Sequence, residues 1–203
     1  LAGGTAWEAV VRRLRVQPGE TILIHGGAGG VGSFAVQFAR VAGARVLATA
    51  GPANQATLKE LGADVAIDYT REDPAEVALR ETGGRGVDAV FDTVGGETLA
   101  RSLRAVRPFG RLASILGIRG DLTLAYRNNL AIHGIFLTRE RRRLEDMGRE
   151  PPRATASQEA LLSRLRQGMT WLCEVYARLQ DARDVEQRIE RQFTKGLHEW
   201  ADL

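Results

Sequence analysis

Residues 21–51 read TILIHGGAGGVGSFAVQFARVAGARVLATAG: an apolar run, a glycine-rich turn, a helix-period stretch and a second apolar run. That succession predicts strand, tight turn, helix and strand, the opening unit of a Rossmann-type doubly wound parallel sheet. Gly27, Gly29 and Gly32 space the turn as G-x-G-x-x-G. By itself the spacing is a weak signal, because the chain has 23 glycines in 203 residues. Its place between a buried-strand run at 21–25 and apolar helix periodicity at 33–41 gives it weight. In such a turn the first glycine permits the bend. The second lets the backbone approach a pyrophosphate, and the third lets helix and strand pack closely. Free N–H groups at the start of the helix, with Ser33 as its cap, face the phosphates with the positive end of the helix dipole. A purely structural turn with no ligand is the competing reading.

The same alternation continues along the chain. Trp7, Val10, Val11 and Leu14 recur at helical spacing over residues 2–14, and Pro18-Gly19 closes that segment. Strands are expected at 21–25, 45–49, 64–67, 87–92, 110–116 and 131–137. Helices are expected at 55–61, from the Asp73-Pro74 start to Thr82, and at 97–106. Parallel strands need crossovers, which these helices supply, so the expected strand order is 3-2-1-4-5-6. We therefore read the fold as α/β, a six-stranded Rossmann domain at 1–138 and a mainly helical segment at 139–203. In the latter, Pro151-Pro152 marks a break, and Leu161, Leu162, Leu165 and Met169 suggest an amphipathic helix.

Composition excludes several classes. The formal net charge is +3, from 28 basic and 25 acidic residues that are interspersed, which is no nucleic-acid footprint. The one basic run, at 139–143, contains Glu140 and reads as a solvated helix start. One cysteine, Cys173, permits no internal disulfide and fits a reducing, cytoplasmic setting. No run nears the ~18 apolar residues of a membrane span. His25, His133, His198 and Cys173 are too scattered for a zinc site. His25, at a strand end, reads as a hydrogen-bonded structural histidine, and Cys173 as a packed thiol.

The end of the second strand carries Thr49-Ala50-Gly51 and no carboxylate. Sites that prefer NAD place an acidic residue there for the ribose hydroxyls, so NADP(H) is favoured over NAD(H). Arg71 and Lys59 are the nearby cations whose placement sequence leaves open. The absent carboxylate also disfavours a methyltransferase, which shares the glycine-rich first turn.

At this point the chain resembles the cofactor-binding half of the medium-chain dehydrogenase/reductase superfamily, in its zinc-free quinone oxidoreductase branch. The residues that carry the resemblance are Leu1 to Trp7, Pro18-Gly19-Glu20, His25 to Gly32 and Ala48 to Gly51. Leu61 to Asp64, Asp68-Tyr69, Val87-Asp88 and Asp92 to Gly96 extend it. It is close over residues 1–138 and returns faintly at 179–196, whereas residues 168–176 and 197–200 depart from it. The resemblance implies hydride transfer from NADPH to a quinone or an electron-poor carbon–carbon double bond. It also implies a catalytic N-terminal domain that this chain lacks, which would shape the small-molecule quinone or enone substrate.

Carried over residue by residue, the resemblance places Ala28, Gly29, Gly30, Val31 and Gly32 at the pyrophosphate. Thr49, Gly51 and Tyr69 would surround the adenosine ribose, with Gln55 where the branch often has a phosphate-binding lysine. Thr93 and Val94 would line the crevice. Leu116, Gly117, Phe136 and Leu137 would flank the nicotinamide, with Thr5 approaching from the first helix. The branch also suggests a homodimer through residues 132–137. No metal, membrane or nucleic-acid partner is expected. A non-catalytic nucleotide-sensing or scaffold domain is the alternative function.

Overall fold

The computed structural model describes residues 2–136. The amphipathic helix suggested by Leu161, Leu162, Leu165 and Met169, the rest of the segment 139–203 and Leu137 lie outside the described residues. The chain divides into two compact units, one of Ala6–Ile135 and one of Leu1–Thr5 with Phe136–Leu203. The first unit carries the sheet.

Six parallel strands, β1 (Thr21–His25), β2 (Arg45–Ala50), β3 (Val65–Asp68), β4 (Val87–Asp92), β5 (Val106–Ser114) and β6 (Ala131–Gly134), lie in the order β3-β2-β1-β4-β5-β6. That is the expected order. The crossovers are α2 (Gly30–Val41), α3 (Gln55–Glu60), α4 (Pro74–Glu81) and α5 (Thr98–Ser102), with α6 (Thr123–Arg127) between β5 and β6. Ahead of them α1 (Ala2–Trp7) runs into a π-helical stretch, Glu8–Arg13. The wider π register brings Arg13, five residues on, to Glu8, which is buried and also holds Arg12.

β1 and β4 are buried along their whole length, which is why both faces of their centres are apolar and polar side chains are confined to Thr21, His25, Asp88 and Asp92. Alternate residues still sort to two faces. Leu23, Leu47, Ile67, Val90 and Leu112 pack with Val77 of α4 and Leu99 of α5 in one core layer. On α2, Phe38 meets Trp7 edge-on with ring centroids 5.7 Å apart.

The differences from expectation are local. Asp73 caps α4 as foreseen, accepting from Ala75 N at 2.8 Å. The helix expected at 97–106 ends at Ser102 and tightens into a 3₁₀ turn, Leu103–Ala105, because Val106 is already extended. β5 starts at Val106 rather than at 110, since a register shift against β4 accommodates Pro108 and Phe109, whose φ is +60°. It stops at Ser114 rather than 116, where Ser114 Oγ bonds both the N–H and the carbonyl of Leu116 and turns the chain. β6 likewise ends at Gly134 and not at 137. α6 was not foreseen; the signal was Asp121, whose carboxylate takes Thr123 N at 2.8 Å.

Candidate functional site

The carboxyl ends of β1, β2, β3 and β4 surround an open cleft of about 910 Å³. Its floor is the glycine turn, and the structure redistributes the roles of those glycines. The bend is made at Gly26, with φ +69°, one residue before the motif's first glycine. Gly27 is needed for close packing instead, since a Cβ there would lie 2.8 Å from Leu58 and 2.9 Å from Ala48. A Cβ on Gly32 would overlap the carbonyl of Gly26, so the third glycine does let helix and turn meet. Gly30 is different. A Cβ there meets nothing within 4 Å.

Gly29 is the N-cap of α2 and offers no side chain, so Ser33 is not the cap; its hydroxyl donates back to Gly30 O at 3.2 Å. Gly29 N is used by Gly26 O and Ser33 N by Gly29 O. The amides between them, of Gly30, Val31 and Gly32, have no protein acceptor among the described residues. They are open donors at the positive end of a 12-residue helix.

Two threonines hold this turn from either side. Thr49 on β2 accepts Gly26 N on its hydroxyl at 3.1 Å and Gly27 N on its carbonyl at 2.9 Å. Thr93, just past β4, donates its hydroxyl to His25 O at 2.7 Å. Thr49 therefore keeps a proton to give, and Thr93 keeps lone pairs. Below them His25 is 3% exposed. Ser102 gives its hydroxyl proton to Thr98 O at 2.9 Å, so His25 Nε2, 2.7 Å from Ser102 Oγ, is the donor of that pair. Burial lowers the imidazole to about 4, against the opposing pull of Asp92 and Asp73, and it is neutral at pH 7. A structural histidine was the expectation for His25, and its hydrogen bond to Ser102 agrees.

Asp92, fully buried at the end of β4, accepts from Val94 N at 2.9 Å, Gly95 N at 3.0 Å and Ser114 Oγ at 3.2 Å. It thereby ties the loop after β4 to the loop after β5. Gly96 and Ile118 bridge the same two loops. Val94 and Leu116, both about half exposed on these loops, form the apolar part of this end of the sheet.

Of the residues singled out in the sequence, Ala28, Gly29, Thr49, Gly51, Tyr69, Thr93 and Val94 line the cleft. Gly30, Val31 and Gly32 stand behind its floor as the first turn of α2. Leu116 and Gly117 lie in the loop after β5, off the cleft wall. Gln55 is also off the wall: its amide nitrogen is 2.9 Å from Ala50 O, 3.2 Å from Gly51 O and 3.3 Å from Ile67 O. Thr5 and Phe136 belong to the other compact unit, and Leu137 lies outside the described residues.

Sequence reasoning missed part of the wall. Asn54, Thr70, Thr98, Arg101 and Ser102 line the cleft without having been singled out. Asn54 and Thr70 follow predicted strand ends by a few residues, in the loops where ligands of such sheets sit, so a signal existed. Thr98, Arg101 and Ser102 lie together on α5, where Ser102 meets His25, a residue 77 positions distant in sequence. No three His, Cys, Asp or Glu side chains among the described residues could together hold a metal ion. No helix among them is long and apolar enough to cross a membrane.

Residues 30–149 match the family described as zinc-binding dehydrogenase. The 2-haloacrylate reductase of a Burkholderia sp is 38% identical over 138 residues, which is 60% of this chain and 41% of that protein. Among solved structures, the CurK enoyl reductase aligns at 31% identity and TM-score 0.65, over 84% of this chain and 49% of that one. The quinone oxidoreductase of Pseudomonas syringae pv. Tomato DC3000 aligns at 35% identity and TM-score 0.61, over 67% of this chain and 44% of that one. The chain thus spans less than half the length of each of these relatives.

Proposed function

The chain belongs to the zinc-binding dehydrogenase family, in its quinone oxidoreductase and enoyl reductase branch, and from that membership we propose that it is the nicotinamide-nucleotide-binding part of an oxidoreductase. The reaction we assign to the whole protein is hydride transfer from NADPH to a quinone or an electron-poor carbon–carbon double bond. The observation that carries the assignment is the set of open amides at Gly30, Val31 and Gly32, beneath a position where nothing stands within 4 Å. A dianionic pyrophosphate is the group such a helix mouth takes.

The residues fit the nucleotide as follows. The backbone from Ala28 to Gly32 holds the pyrophosphate, where any side chain at Gly29 would approach Gly26 O at 3.2 Å. Thr49, with its hydroxyl proton unspent, donates to the adenosine ribose beside Gly51 and Tyr69. Absence of a carboxylate at the end of β2 supports NADP over NAD. Thr93 and Val94 line the crevice on the way to the nicotinamide, and Asp92 keeps that loop in place by its three bonds. On the same resemblance Leu116 and Gly117 would flank the ring. When bound, the nicotinamide supplies the hydride, while the protein orients it. A second domain would complete the substrate pocket. The outer edge of β6 carries no strand among the described residues, which supports pairing of two copies along 132–137.

Fluorescence titration with NADPH and NADH tests the assignment. Saturable binding below about 1 mM is expected, the upper end of ordinary nucleotide affinities. Absence of binding by both nucleotides up to that concentration rules the assignment out.

A further inference from the structure

We propose that Arg71 is the residue that tells NADPH from NADH, receiving the 2′-phosphate of the adenosine ribose on its terminal guanidinium nitrogens at the mouth of the cleft. The inference rests on the nucleotide-binding assignment above and names a residue that assignment leaves open.

Four charged side chains line the cleft: Arg71, Glu72, Asp73 and Arg101. Three of them are committed elsewhere. Arg101 donates to Glu97 at 2.8 Å, Glu72 accepts from Arg80 at 3.1 Å, and Asp73 accepts from Arg104 at 2.5 Å. Arg71 alone is held loosely, with only Nε near Asp68 Oδ2, at 3.5 Å. Its side chain is 80% exposed, and its two terminal nitrogens make no hydrogen bond among the described residues. A planar fork with its stem anchored and its tips open is the geometry that takes two phosphate oxygens at once.

The loop under Arg71 is pre-ordered. Asp68, the last residue of β3, accepts Thr70 N at 3.0 Å and Thr70 Oγ1 at 2.7 Å, and its carbonyl takes both Arg71 N and Glu72 N at 3.0 Å. Tyr69, 59% exposed, stands with its hydroxyl beside Gly51, within 3.6 Å of where a Cβ would sit. The ribose edge of the cleft therefore has a phenol on one side and a guanidinium two residues on. The other candidates for this charge are ruled out by placement. Gln55 is neutral and its amide nitrogen is spent on three backbone carbonyls that tie β2 to β3. Lys59 is exposed on α3 and does not line the cleft.

Asp68 sets the size of the effect. Its carboxylate stays charged, held below its usual range first by the hydrogen bond from Thr70, so it opposes a phosphate near Arg71 while keeping that arginine in position. A preference for NADPH that is real but moderate follows.

The test is titration of the 203-residue chain and two variants with NADPH and with NADH, with adenosine 2′,5′-bisphosphate and 5′-AMP as displacing probes. Arg71→Gln should weaken NADPH and the bisphosphate about tenfold or more, and leave NADH and 5′-AMP within about twofold. Asp68→Asn preserves the acceptor for Thr70 and removes a charge, and should tighten NADPH by about threefold without moving NADH. Equal weakening of both nucleotides by Arg71→Gln, or weakening of neither, overturns the inference. A parent chain that binds neither nucleotide defeats the functional assignment itself, and the role of Arg71 falls with it.

Discussion

At the amino end of the sheet Asp88 is buried and charged, whereas at the carboxyl end His25 is buried and neutral. Asp88, 5% exposed, accepts Thr21 N at 2.8 Å, Arg85 at 3.0 and 3.1 Å, and Arg107 Nε at 2.5 Å. Burial pushes its carboxyl up, but these donors outweigh burial and hold it well below the carboxylate range. His25 gets one hydroxyl acceptor and no counter-ion in hydrogen-bond contact, and burial wins. Glu20 with Arg111 at 2.6 Å, and Arg45 with Glu81 at 2.5 Å, further close the amino end. The amino end pairs most of its charged groups internally, with Arg111 Nε the buried exception among the described residues. The other end leaves backbone amides at Gly30, Val31 and Gly32 without partners. Open helix-mouth donors gathered at one rim are what an anion-binding end looks like.

The largest expected effect comes from the satisfied end. Asp88→Ala strands two arginines and the amide of Thr21, and should cost about 3 kcal/mol in urea denaturation. Nucleotide affinity of the folded protein should not change. A parallel loss of affinity would show that the two ends are coupled and the contrast false. Close behind, Gly30→Asp acts on the open end alone. The site has room for a side chain, and an acid in the first turn of a helix suits its dipole, so stability should hold within about 1 kcal/mol. Its carboxylate would occupy the phosphate position, weakening NADPH about a hundredfold, or roughly 2.7 kcal/mol. Gly32→Ala makes the sharper contrast, since its Cβ collides with Gly26 O and the turn itself would have to open. An unchanged NADPH affinity in Gly30→Asp would remove the helix mouth from the site.

Much of this contrast was legible in the sequence, and for a physical reason. β1 and β4 were read to the residue because strands covered on both faces are apolar through their centres, Ile22 to Ile24 and Ala89 to Phe91, and turns bound the run. Strand order followed from reading the alternating strands and helices as a Rossmann-type doubly wound sheet. The glycine turn was located correctly, yet the bend falls at Gly26 and not at Gly27, because which glycine takes a positive φ is set by the packing of Leu58 and Ala48 above it. β5 was misjudged at its start, because Pro108 and Phe109 sit in a register shift that only pairing with β4 reveals, and at its end, because Ser114 Oγ turns the chain at Leu116. In the site, Thr49, Gly51, Tyr69, Thr93 and Val94 were found, whereas Asn54, Thr70 and, on α5, Thr98, Arg101 and Ser102 were not. Gln55 shows the same limit differently. Its position in the chain pointed to the phosphate, and its amide turned to the backbone instead.

The smallest effect is a pH dependence that separates the two buried groups. A histidine whose folded-state value lies near 4 binds its proton more readily when unfolded, where the value is about 6.5. Its contribution to stability is therefore complete above pH 6.5 and declines as pH falls toward 4. Between pH 6.5 and 5 the loss amounts to about 2 kcal/mol. Asp88 has the same sign in a lower window. Its folded value is depressed below the usual carboxylate value near 3.9, so its contribution begins to fade only as pH approaches that value from above. Denaturation curves at half-unit intervals should thus show two declines, the first from the imidazole that faces Asp92 and Asp73, the second from the carboxylate among Arg85 and Arg107. His25→Gln keeps a donor for Ser102 and cannot take the proton, so it should remove the first decline and leave the second. If the variant loses stability over pH 6.5 to 5 as steeply as the parent, the neutral burial of His25 is not what distinguishes the carboxyl end.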